Sequence, residues 1–77
     1  STDDLLAPHR EAIDHIDQTI FKLANERAAH ARAIGELKGS GVVYRPEREA
    51  QVLRRIQSLN QGLLSNEAVA RLFREIM

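Results

Sequence analysis

The chain has 77 residues, with 11 Lys plus Arg balanced by 11 Asp plus Glu, and no cysteine. That bounds it to one small domain without disulfides, a thiolate metal site or a cysteine nucleophile. It also lacks the one-sided positive field that draws proteins to nucleic acid or anionic lipid. No apolar run approaches the roughly 20 residues needed to span a bilayer. The opening Ser-Thr-Asp-Asp carries neither the basic nor the apolar part of an export signal, so a cytoplasmic protein is expected. No long stretch alternates strictly between apolar and polar, so the expected fold class is all-α.

Thr2, Asp3 and Asp4 offer capping chemistry for a first helix. Pro8 is tolerated best in a first turn, which sets the expected start near Leu6 or Ala7 and predicts a helix over about 6–38. Gly35 costs it about 1 kcal/mol, and its bare backbone leaves room for another chain or a ligand to come close. Gly39-Ser40-Gly41 suits a left-handed C-terminal cap, and Val42, Val43 and Tyr44 follow as a short extended connector. Pro46 opens a second helix over about 46–59, with Val52, Leu53, Ile56 and Leu59 as its apolar face. Asn60-Gln61-Gly62 breaks it. Ser65 caps a third helix from about 66, with Glu67 in its first turn and Ala68, Val69, Leu72, Phe73 and Ile76 as its stripe. That pattern is still running at Met77.

A first helix of some 33 residues is about 50 Å long, while a compact monomer of this size has a radius of gyration of about 11–12 Å. Two short helices cannot cover such a rod. A second copy beside it, in a two-fold dimer, is the expected solution.

The charged residues on apolar faces carry the functional signal. At roughly 100° per residue, Arg27 and Lys38 fall in the same arc as Ile13, Ile16, Ile20, Leu23 and Ile34. Cations are rarely buried without a partner. These two are eleven residues apart, about 16 Å along the axis, a span that two long side chains can close around one small anionic molecule. In the plainer reading their stems lie along apolar surface and their heads reach water. Arg10, about 25 Å from Arg27, reaches that ligand only from the partner in an antiparallel dimer. On the second helix Arg48 and Glu49 project near the Val52/Ile56/Leu59 face. They either pair with each other or with Arg27, or serve a ligand, with Glu49 accepting from a hydroxyl. Four cations against one anion would suit a dianion. His9, His15 and His30 lack the spacing of a helical metal pair, so no metal is expected. Asp14 and Asp17 read as solvated helix charges. Ser40, Ser58 and Ser65 have no His/Asp constellation, and no phosphate-cradling loop is present.

The segments Arg10-Glu11-Ala12-Ile13-Asp14-His15-Ile16-Asp17, Asn25-Glu26-Arg27-Ala28, Ile34-Gly35-Glu36-Leu37-Lys38 and Tyr44-Arg45-Pro46-Glu47-Arg48-Glu49-Ala50 resemble the all-helical (AroQ) chorismate mutases. With Asn60-Gln61-Gly62 and Arg71-Leu72-Phe73-Arg74-Glu75-Ile76-Met77, the chain most resembles the N-terminal domain of the bifunctional mutase/prephenate dehydratases. The resemblance implies one domain over 1–77 in an intertwined homodimeric helical bundle with shared active sites and no cofactor. It implies chorismate as substrate and a fused prephenate dehydratase domain. By the same resemblance, the partner's copy of Arg10 and Arg27 hold the substrate's carboxylates. Lys38 approaches the ether oxygen and one carboxylate, and Glu49 takes the ring hydroxyl with Arg48 beside it. Lys38, Arg27 and Glu49 are thus the implied catalytic residues. Some relatives carry Asp where this chain has Arg45, a further candidate for contact with the substrate. The family also uses a Ser and a Gln farther along the third helix, beyond Met77. An isochorismate pyruvate lyase on the same scaffold and a non-catalytic dimerisation module are the alternatives.

Overall fold

The computed structural model describes residues 1–39 and 45–77. They form three helices, α1 (Thr2–Leu37), α2 (Pro46–Leu59) and α3 (Asn66–Ile76), with no strand among the described residues. The expected all-α class with one very long and two short helices is therefore observed. The chain divides into two compact units, Ser1–Gly41 and Val42–Met77. The expected connector at Val42, Val43 and Tyr44 lies outside the described residues, as do Ser40 and Gly41.

The first unit is the single helix α1, 36 residues and so about 54 Å long. It begins at Thr2, not near Leu6 or Ala7, and Pro8 lies inside it. Ser1 is the reason. Its Oγ accepts from the Asp4 amide (3.4 Å) while its N-terminal ammonium donates to the Asp4 carboxylate (3.2 Å). This capping box satisfies first-turn donors ahead of the proline, and Asp3 and Asp4 complement the positive end of the helix. Pro8 cannot donate to the Asp4 carbonyl. Residues 1–10 are all exposed, so water serves the group it leaves unmatched. At the other end, Lys38 caps α1, its amide donating to the Ile34 carbonyl at 3.0 Å. Gly39 then turns the chain at φ +73°, the left-handed conformation that glycine adopts without strain, and its amide donates to Glu36.

The apolar stripe of α1 is uncovered in the single chain. Ile13, Ile16, Ile20, Leu23 and Ile34 each keep 51–55% of their accessible surface. Gly35 is buried.

In the second unit α2 packs on α3. Pro46 opens α2, where its missing N–H costs nothing, and Glu47 and Glu49 lie in its first turn. Ser65 caps α3, its Oγ accepting from the Ala68 amide at 3.1 Å. The core is small: Val69 and Ala70 are buried, with Val52, Leu53, Ile56, Phe73 and Ile76 half-buried around them. Leu59 and Leu72, both expected on the inner faces, are exposed, and Ala70 is buried in place of Leu72. The crossing of two short helices covers only a narrow band of each.

Asn60 clamps the turn between them. Its Nδ2 donates to the Leu64 carbonyl (2.9 Å) and to Asn66 Oδ1 (2.8 Å), and its Oδ1 accepts from the Gly62 amide (3.2 Å). Gln57 adds a bond from Nε2 to the Asn66 carbonyl at 3.4 Å. Replacing Asn60 by Ala should lower stability by about 1–3 kcal/mol, read as a lower urea midpoint at unchanged slope.

Candidate active site

The three candidate residues of the first unit hang on α1 and its end. Arg10 and Lys38 are exposed, and Arg27 is half-buried. The apolar residues they share an arc with are themselves half-exposed, so one chain alone does not withdraw these cations from water. Lys38 occupies the last position before the Gly39 turn. Its ammonium belongs to the carbonyl end of the helix, where the partial negative charge favours a cation. The helix spacing keeps Arg10 and Arg27 about 25 Å apart and Arg27 and Lys38 about 16 Å apart along the axis.

The other three candidates cluster at the start of α2. Arg45 is its N-cap, with non-helical backbone (φ −130°, ψ 79°) and no side-chain capping bond; the proline that follows disfavours the α region at this position. Arg48 lies on the first turn and is exposed, while Glu49 is half-buried and its amide closes the turn on the Arg45 carbonyl at 2.9 Å. The helix thus fixes two cations and a carboxylate within one turn, beside backbone amides that favour an anion.

Arg48 does not pair with Glu49. Its Nη1 donates instead to Gln51 Oε1 at 2.8 Å, a contact between residues three apart on one helix face. Among the described residues the ion pairs are the Ser1 ammonium with Asp4 and Arg32 with Glu36 (3.3 Å). Pairing between Arg48 and Glu49 is therefore not seen there. No group of three or more His, Asp or Glu suited to a metal occurs among the described residues. A groove of about 330 Å³ in the second unit is lined by Gln57, Glu67, Ala70, Arg71 and Arg74; none of the candidate residues borders it.

Residues 9–77 match the family described as chorismate mutase type II. This chain belongs to that family. Among similar proteins, the bifunctional chorismate mutase/prephenate dehydratase of Neisseria gonorrhoeae is 71% identical over 75 residues, covering 97% of this chain and 21% of that protein. The protein of the same name from Pseudomonas aeruginosa is 49% identical over 81 residues (96% and 22%). That from Aquifex aeolicus is 39% identical over 74 residues (88% and 20%). The chain therefore spans about a fifth of the length of these relatives. No solved structure was matched.

Within this chorismate mutase family member, the exposed Arg32–Glu36 pair stands apart from the candidate cations. Arg32→Ala should lower stability by only about 0.3–0.5 kcal/mol in denaturant titrations, since both side chains are highly exposed.

Proposed function

We propose that this chain is the catalytic chorismate mutase portion of a longer enzyme and converts chorismate to prephenate. One observation carries the reading: the family match runs from residue 9 to residue 77 and so encloses Arg10, Arg27, Lys38, Arg45, Arg48 and Glu49. The names and lengths of the relatives support a prephenate dehydratase activity on the rest of the natural polypeptide.

The rearrangement breaks one C–O bond as a C–C bond forms within the same molecule. It requires no nucleophile, proton transfer or cofactor. The protein's task is to hold a flexible dianion in its compact reacting shape, which is catalysis by positioning. Arg27 and the partner's copy of Arg10 grip the carboxylates. Lys38 donates to the ether oxygen, on which charge builds as the bond breaks. Glu49 accepts from the ring hydroxyl, with Arg48 beside it, and Arg45 adds a further substrate contact.

A homodimer with shared sites completes this reading. It is supported by the uncovered stripe of Ile13, Ile16, Ile20, Leu23 and Ile34, which a second α1 can bury. It would also bring one chain's Arg10 to the middle of the other's helix. The unfolding temperature should then rise with protein concentration, and sedimentation equilibrium should return twice the chain mass; a concentration-independent monomer would reject the shared site.

The functional reading is tested by following chorismate loss at saturating and limiting substrate. Lys38→Ala should lower kcat by about 10²–10³-fold with an unchanged circular dichroism spectrum, the usual loss for one preorganised donor to developing negative charge. Near-normal turnover in that variant would reject the assignment of Lys38. Preference for isochorismate would make the enzyme a lyase instead.

A further inference from the structure

Two arginines of this chain are held in opposite ways. Arg32 donates to the Glu36 carboxylate, a partner that cancels its charge. Arg48 donates through Nη1 to the amide oxygen of Gln51 at 2.8 Å, a partner that carries none. A guanidinium has five N–H donors; among the described residues Gln51 takes one of Arg48's, and two others are enough for a two-point grip on a carboxylate. Both residues are exposed, so Gln51 contributes little to the packing of α2 on α3. Arg48 itself lies on the first turn of α2, where free amides and the helix dipole favour an approaching anion.

We propose that Gln51 is a positioning residue for substrate binding: it holds the Arg48 guanidinium in place for an anionic group of the substrate while leaving its positive charge uncancelled. The proposal rests on the mutase reading. An arginine loses much rotamer freedom when it closes on a ligand. A partner one turn away takes part of that loss before the ligand arrives. A carboxylate in the same place would hold the side chain equally well but would compete with the substrate for it.

The test is steady-state kinetics with chorismate on the natural full-length polypeptide, comparing the parent, Gln51→Met, Gln51→Glu, Arg48→Ala and the Gln51→Met/Arg48→Ala double variant. Methionine keeps the length and helix preference of glutamine but removes the acceptor. Gln51→Met should raise KM by about 2–10-fold, the worth of one such hydrogen bond, with kcat, helical content and unfolding temperature unchanged. Gln51→Glu should raise KM at least as far, because it pairs with Arg48. In the Arg48→Ala background, Gln51→Met should have no further effect. The proposal is overturned by a parental KM in Gln51→Met, by a loss confined to kcat, or by a KM effect that persists without Arg48. A parental KM in Gln51→Glu removes the role of the uncharged acceptor. A full-length parent inactive toward chorismate defeats the mutase reading itself, a result separate from all of these.

Discussion

A helix of 36 residues cannot fold its apolar side onto itself, and everything else about this molecule follows from that. Fixing each residue costs about 1–2 kcal/mol in backbone freedom alone. Against that cost the described chain sets a core of Val69 and Ala70 and a stripe on α1 left half in water. Apolar burial is worth about 25 cal/mol per Å², and the α1 stripe is one exposed apolar area that could supply more of it. In the proposed dimer, folding and self-association would be one event.

The same constraint shapes the chemistry. Arg10, Arg27 and Lys38 are strung along one rod, too widely spaced for one small dianion to meet all three from a single chain. The rod is stiff, so the separations are fixed; a second rod running the other way changes which charges face one another without bending either. At the start of α2 the arrangement is the reverse: Arg45, Arg48 and Glu49 gather within one turn. The proposed site thus draws long-range placement from the helix axis and short-range placement from a helix end.

Much of the fold was legible because its boundaries are written in local chemistry. Pro46 and Ser65 mark the starts of α2 and α3, and a glycine at 39 marks the end of α1. The start of α1 was misread because two local signals conflict there. Pro8 argued for a later start, whereas Ser1 and Asp4 close a capping box ahead of it. The choice of Ala70 over Leu72 for the core of the second unit depends on how two helices cross, which no single-helix periodicity contains. For the candidate site, residue types on the wrong face pointed to cations and one carboxylate. They did not reveal Gln51, because a neutral amide on an exposed face breaks no pattern.

Gly39 meets no neighbour within 4 Å at the place where a β-carbon would stand, yet its backbone is left-handed. An L side chain there would find ample space and still cost about 1–2 kcal/mol in torsional strain. The sense in which the chain leaves Lys38 is thus set by backbone handedness, and a single added carbon atom would oppose it.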